Sequence, residues 1–341
     1  MKILITAELT EQVVKELSTL GTVTKDGWQT ELRVFNEDEM QKIVAGYDII
    51  ITSYDEITKK VIDSADKTKN IICTRASPAN VDIAYANAKG IKVSFTPGRN
   101  SDSAAEYTIA LMMSIGRKIA QSYTALKRGE YTKKSQSEKK LKEGLKEDVT
   151  WALSANTPYV IFKGNQLCGN TLGIIGYGDI GRRVSKIANA MGMKVLAYDK
   201  YSKEADGIAE FVDFDYLLKH SDFISVHAKP SPENKHFINA DAFKLMKKTA
   251  YIVNTARGSL IDEKALIEAL KNKEIAGAAL DVFESEPISE KHPFITELDN
   301  VLITPHLGGA TYEAIQNHSK MVLEEVKNIL DNRKLSYEYK L

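Results

Sequence analysis

The chain has 341 residues, 43% of them hydrophobic, and its 46 basic side chains equal its 46 acidic ones, so the formal net charge is zero and there is length for two domains of ordinary size. That balance excludes a global electrostatic pull toward nucleic acid or a membrane surface, and no apolar run approaches the length that spans a bilayer. Met1-Lys-Ile-Leu-Ile-Thr6 lacks the long apolar segment of a signal peptide, and Cys73 and Cys168 lack metal-ligand spacing; the expectation is a cytoplasmic protein with reduced thiols and no metal.

Strand and helix signals alternate from the start. Lys2–Thr6, Asp48–Thr52, Asn70–Thr74 and Ile91–Ser94 are short β-rich runs, with helical stretches at Thr10–Leu20, Glu37–Val44 and Val81–Lys89 between them. Such alternation predicts right-handed crossovers and a parallel sheet. Asp102–Lys127 also reads as helical and is expected to carry the chain across to the second unit. Lys133–Asp148 is dense in Lys and Glu, which favours a solvated helix or loop over a functional lid. Trp151, Tyr159 and Phe162 follow as candidates to pack over a neighbouring subunit or a cleft.

The alternation restarts at Thr171. Strands are predicted at Leu172–Ile175, Lys194–Tyr198, Asp222–Val226, Ala250–Asn254, Ala276–Asp281 and Asn300–Thr304, with helices including Ile180–Met191 and Glu263–Lys271. A last helix, Thr311–Asp331, is predicted to cross back to the N-terminal unit. Two helical crossings predict a hinge and a ligand-binding cleft.

The first strand of this second series runs into Gly176-x-Gly178-x-x-Gly181 and then a helical pattern, the arrangement that holds a dinucleotide. Gly176 permits a tight turn, Gly178 lets the backbone approach a pyrophosphate, and Gly181 lets helix and strand pack closely. The helix N-terminus offers free N–H groups and partial positive charge to the phosphates. Asp199 ends the next strand. Its carboxylate is suited to both ribose hydroxyls and repels a 2′-phosphate, which favours NAD over NADP.

Three polar clusters follow, each at a predicted strand end, where ligands of open α/β sheets bind. Arg257 in Asn254-Thr-Ala-Arg-Gly258 is suited to grip a carboxylate through two parallel hydrogen bonds. Glu284 and Glu286 lie in Asp281-Val-Phe-Glu-Ser-Glu-Pro287, and His306 in Thr304-Pro-His-Leu-Gly-Gly309. Each alone has a plain structural explanation. Together, a histidine, a carboxylate partner and an arginine beside a hydride carrier point to interconversion of a 2-hydroxy acid and a 2-keto acid. His227, also at a strand end, is expected to touch the cofactor; His220, His236, His292 and His318 are expected to be structural or solvated.

Those motifs, with Thr96-Pro-Gly-Arg-Asn-Ser-Asp-Ser-Ala-Ala-Glu106 and Gly277-Ala-Ala-Leu-Asp281, resemble the D-isomer-specific 2-hydroxyacid dehydrogenases, the family of D-lactate, D-glycerate and D-3-phosphoglycerate dehydrogenases, over nearly the whole chain. The resemblance implies an α/β architecture of two doubly wound parallel-sheet domains: a Rossmann NAD-binding domain (102–307) inserted into a flavodoxin-like substrate domain (1–101 and 308–341), with a charged insertion at about 130–165. It implies a catalytic trio of Arg257, Glu286 and His306. It also implies Asp179 and Ile180 over the pyrophosphate, Asp281 near the nicotinamide carboxamide, and Thr255 and Ala256 on the nicotinamide side. Substrate contacts are implied for Asn100 and for Arg75 to Pro78, Ser77 included. A homodimer is implied as well. A non-catalytic NAD(H)-sensing, corepressor-like protein is the alternative on the same fold.

Two departures from the family pattern bear on substrate. The loop Arg75-Ala-Ser-Pro-Ala-Asn-Val-Asp82 is short and proline-stiffened, and Thr52-Ser-Tyr-Asp-Glu56 offers no cation where phosphoglycerate-specific members carry basic residues. Both lower phosphoglycerate as a substrate, although Arg75 and Arg99 are available to compensate. The end at Leu341 leads to the expectation of no C-terminal regulatory domain.

Overall fold

A computed structural model describes residues 1–132, 156–202 and 206–340. The stretch Lys133–Asp148 and Trp151, singled out above, lie outside the described residues. The chain divides into two units, Met1–Asn100 with Ala310–Leu341, and Ser101–Gly309.

In the first unit, β1 (Lys2–Ile5), β2 (Thr22–Lys25), β3 (Ile49–Thr52), β4 (Asn70–Cys73) and β5 (Lys92–Ser94) form an all-parallel sheet of order β2-β1-β3-β4-β5. This is the flavodoxin-like order. Successive side chains of a strand point to opposite faces, so the isoleucine-rich central strands feed two cores at once. Leu4, Ile50, Ile71 and Val93 pack with Met40 and Val61 on one face; Ile3, Ile5, Ile49, Ile51 and Ile72 pack with Leu17, Val322 and Val326 on the other. Val322 and Val326 belong to the helix Tyr312–Leu330, so the C-terminal segment completes this unit's core. β2 has no signal in the sequence because it is a largely exposed edge strand with one apolar residue, Val23.

The second unit holds β6 (Thr171–Ile175), β7 (Lys194–Tyr198), β8 (Glu210–Phe211), β9 (Phe223–Val226), β10 (Tyr251–Asn254), β11 (Gly277–Leu280) and β12 (Val301–Ile303), all parallel, in the order β12-β11-β10-β9-β6-β7-β8. Strand order reverses at β6, between β7 and β9. That reversal opens a ligand crevice beyond the strands' carboxyl ends. Six of the seven strands match the sequence expectation; β8, two residues long, is too short to show a period.

The helical segment expected over Asp102–Lys127 is present as two helices, Ser101–Gly116 and Ile119–Lys127, separated by Lys118 at φ +54°. The Gly116 carbonyl accepts a hydrogen bond from Asn165 N–H (2.8 Å), and Lys118 takes a left-handed conformation that no hydrophobic period reveals. No described helix is long and apolar enough to cross a membrane.

Candidate active site

β6 delivers the glycine loop to the reversal point. Gly176 sits at φ +92°, and a Cβ there would lie 2.4 Å from Ala228 N and 2.6 Å from the His227 carbonyl carbon. Only glycine meets both demands. A Cβ on Gly181 would lie 2.3 Å from Gly176 O, so this glycine lets the helix Asp179–Ala190 close on the loop. At Gly178 a Cβ would meet nothing within 4 Å, and that residue caps the helix with no side-chain hydrogen bond. The first N–H groups of the helix are therefore open toward free space, as a pyrophosphate requires. Asp179 and Ile180 form its first turn, and Asp179 is ion-paired with Arg183. The loop fits a dinucleotide.

Asp199 follows β7. Its Oδ2 accepts Tyr177 N–H (2.7 Å), and its Oδ1 accepts the N–H groups of Tyr201 (2.8 Å) and Ser202 (3.0 Å). Partial burial acts to raise its pKa, but these three donors outweigh burial and hold the carboxyl below its ordinary value. Asp199 is thus a charged group at the end of β7 and also a brace for the glycine loop. Tyr177, an unspecified position of the glycine motif, adds a second brace. Its buried hydroxyl donates to Asp206 Oδ2 (2.7 Å) and lies 2.9 Å from Ser185 Oγ, which is free to donate to it. Burial, reinforced by the Asp206 carboxylate, pushes the phenol up to about 12. An aromatic between two motif glycines was the available signal for Tyr177; nothing local marked Asp206.

Arg257, Glu286 and His306 follow β10, β11 and β12, three neighbours in the sheet. Asn254 shapes the first of these turns: its side chain accepts Ala256 N–H (3.0 Å) and donates to Arg257 O (2.9 Å). The Arg257 guanidinium is exposed, donates to Ala256 O (2.6 Å) and has no acidic partner among the described residues. Beside it, Thr255 Oγ1 pairs with Thr108 Oγ1 (2.7 Å), while Ala256 is half-buried against the core.

His306 occupies a left-handed position at φ +58°, with Nδ1 2.6 Å from Glu286 Oε2. Glu286 Oε1 in turn accepts Phe283 N–H (3.1 Å). The histidine side chain keeps 47% of its surface exposed, and its Nε2 has no partner among the described residues. Buried Asp281 fixes the histidine loop: it accepts Thr304 Oγ1 (2.6 Å), Leu307 N–H (2.8 Å) and Gly308 N–H (2.8 Å).

His227 follows β9, the next strand over. Its N–H donates to Ile175 O (2.7 Å) and its Nε2 lies 2.8 Å from Ser225 Oγ. Burial pushes its pKa down to about 4, so the ring is neutral at physiological pH.

The residues linked to substrate by resemblance sit in the first unit. Arg75 follows β4 and lies 4.9 Å over the Tyr54 ring; Ser77 is exposed in the same loop; Asn100 ends that part of the unit. Arg99 Nη1 lies 3.2 Å from Nδ1 of buried His318, whose Nε2 lies 2.7 Å from Glu8 O. Burial, with the Arg99 charge adding to it, pushes His318 down to about 4.

The family model for the D-isomer specific 2-hydroxyacid dehydrogenase NAD-binding domain matches residues 109–308. D-3-phosphoglycerate dehydrogenase of Methanocaldococcus jannaschii is 38% identical over 334 residues, 97% of this chain and 57% of that protein. Hydroxypyruvate reductase of Thermotoga maritima is 37% identical over 302 residues, 87% of this chain and 90% of that protein. Among solved structures, apo D-lactate dehydrogenase of Escherichia coli superposes with a TM-score of 0.77 at 28% identity, covering 100% of both chains. The chain spans little more than half of the first relative and nearly all of the others. On the matched glycine loop, the strand order and this breadth of similarity, the chain belongs to the D-isomer specific 2-hydroxyacid dehydrogenases, a family of NAD-dependent oxidoreductases.

Proposed function

We propose that the protein interconverts a D-2-hydroxy acid and its 2-keto acid, with Arg257, Glu286 and His306 doing the work. One observation carries this reading: His306 is held by its Nδ1 against Glu286 at 2.6 Å while its Nε2 has no partner among the described residues. That is the geometry of a general acid/base awaiting an oxygen. The bound nicotinamide supplies the hydride exchanged with the substrate's C2. Arg257, with no acid to satisfy it among the described residues, grips the substrate carboxylate through two parallel hydrogen bonds. In the reducing direction His306 Nε2 gives its proton to the carbonyl oxygen, and the negative Glu286 offsets the ring's charge. In oxidation the same nitrogen takes the hydroxyl proton. Asp199 selects NAD over NADP, and the neutral His227, Thr255, Ala256 and Asp281 complete the cofactor surface.

Arg75, Ser77 and Asn100 contact substrate in this reading, and their substitution raises KM without weakening NADH binding. Exposed Ile119, Tyr123 and Leu126, on the helix Ile119–Lys127, support a homodimer, which light scattering on the purified protein tests.

The deciding experiment follows NADH oxidation across a panel of 2-keto acids, phosphorylated and not, with NADPH in parallel. Turnover with NADH and at least one keto acid is the expected result. Tight NADH binding with no turnover would overturn the reading in favour of an NAD(H) sensor.

A further inference from the structure

Gly258, directly after Arg257, has no left-handed φ that would call for glycine. Its constraint is space. A Cβ there would lie 2.0 Å from the carbonyl carbon of Phe283, 2.1 Å from its oxygen and 2.4 Å from Glu284 N. All three are backbone atoms of one peptide unit, which cannot swing aside as a flexible side chain can. The turn after β10 and the turn after β11 therefore touch at their backbones, with one glycine Cα as the spacer.

The peptide just before that unit, joined to it through the Phe283 Cα, is tied to Glu286. Phe283 N–H donates to Glu286 Oε1 (3.1 Å), and Glu286 Oε2 holds His306 Nδ1 (2.6 Å). A reciprocal clamp fixes the Phe283–Glu284 peptide to the start of the helix Glu263–Lys271. Glu263 N–H donates to Glu284 Oε1 (3.3 Å), and Glu284 N–H donates to Glu263 Oε2 (3.2 Å). Two further histidines back the clamp: His236 Nε2 lies 2.5 Å from Glu284 Oε1, and His292 Nε2 lies 3.0 Å from Glu263 Oε1. On the other side, Asn254 pins the Arg257 carbonyl at 2.9 Å.

We infer that Gly258 is a positioning residue of the reaction: its bare Cα, pressed on the Phe283–Glu284 peptide, sets the carboxylate-binding Arg257 and the His306-holding Glu286 in mutual register. Any side chain at 258 must push one turn off the other. Displacing the Phe283–Glu284 peptide shifts Phe283 itself, whose N–H on the neighbouring peptide holds Glu286, and so draws Glu286 away from the imidazole. Displacing residue 258 carries Arg257 with it. The charged groups around this contact are Arg257, Asp281, Glu286, Glu284, Glu263, His236, His292 and His306, and the substitution alters none of their identities. Its effect is therefore geometric.

The inference rests on the reading of Arg257, Glu286 and His306 as the working trio, and its test has an arm that does not depend on turnover. In the full-length protein labelled with 15N-histidine, the ring nitrogens of His306 are assigned by their loss in His306→Gln. In the parent protein the Nδ1 proton is held by Glu286. In Gly258→Ala those ring signals should move toward the pattern of a free, exposed histidine. NADH affinity should stay within about twofold of the parent, and kcat per NADH-binding site should fall by roughly tenfold or more while KM for the keto acid rises. Glu284→Ala, which loosens the clamp from the other side, should move the His306 signals in the same direction and settles the matter should Gly258→Ala not fold. Unchanged His306 signals in the folded variants, or a rate loss that merely follows the loss of NADH-binding sites, would overturn the inference. A parent protein with no turnover defeats the proposed reaction alone, because the ring signals still report the register.

Discussion

His306 and Asp281 are joined through the backbone rather than through their side chains: Asp281 O accepts His306 N–H at 2.9 Å, and the Asp281 carboxylate takes the N–H groups of the next two residues at 2.8 Å each. The histidine thus stands on a loop closed at its base by a buried acid, and its ring is steered at the tip by Glu286. Two carboxylates divide the work, one holding the loop and the other the imidazole.

Removing the ring should cost chemistry and spare the cofactor. His306→Ala is expected to lower kcat by about a hundredfold to ten-thousandfold, the usual range for a lost general acid/base, with NADH affinity unchanged. Steady-state kinetics with fluorescence titration of NADH measures both. Full turnover at neutral pH would remove His306 from the mechanism.

Arg257 has no acid to satisfy it among the described residues, and its proposed role is to hold a carboxylate. Arg257→Ala is expected to raise KM for the 2-keto acid by about tenfold to a hundredfold, the worth of a charge-assisted hydrogen-bonded contact. Arg257→Lys should restore charge without the two-point grip and recover only part of the loss. A KM unaffected by either substitution refutes the assignment.

Asp199 carries a held negative charge and also braces the glycine loop through Tyr177 N–H. Asp199→Ala should therefore do two separable things. The preference for NADH over NADPH, read as a ratio of dissociation constants, should collapse by roughly tenfold, and the second unit should melt earlier because a backbone donor loses a charged partner worth about 1–3 kcal/mol. An undiminished cofactor preference in the folded variant would show that discrimination lies elsewhere.

His318 supplies a pH dependence in the first unit. Its ordinary pKa of 6.5 drops to about 4 in the fold, first through burial and then through the Arg99 charge. The unfolded chain binds a proton near pH 6.5 that the folded one refuses until near pH 4. Stability is then complete above pH 6.5 and declines as pH falls toward 4, by on the order of 3 kcal/mol. His227 acts in the same direction in the second unit, its pKa also near 4 through burial. Urea unfolding of His318→Gln from pH 7 to 4.5 should show a shallower decline than the parent; identical slopes would exclude His318 as the cause.

The strands could be anticipated because they announce themselves. Runs such as Ile49-Ile50-Ile51 are apolar without a break, and Phe223–Val226 is buried throughout with only Ser225 polar, as suits strands covered on both faces. β2 and β8 escaped notice for the opposite reason: edge strands of two to four residues bury too little to leave a pattern. Where the helical segment Asp102–Lys127 divides is not legible locally: Lys118 is left-handed there, and the Gly116 carbonyl is taken by Asn165, distant in sequence.

At the site the division is similar. Residue types suited to binding a dinucleotide and handling a proton are legible, since Gly176, Gly178, Gly181, Asp199, Arg257, Glu286 and His306 each end or follow a recognisable strand, and the family resemblance already singles out Glu286 from Glu284. Tertiary structure alone decided which atoms meet: that His306 Nδ1 lies on Glu286 Oε2, that Asp281 closes the histidine loop, that Tyr177 reaches Asp206, and that Gly258 lies on Phe283. Periodicity and local motifs record what a segment does to its immediate neighbours. Ångström-scale contacts between turns depend on how parallel strands far apart in the chain are brought side by side, and no single segment carries that information.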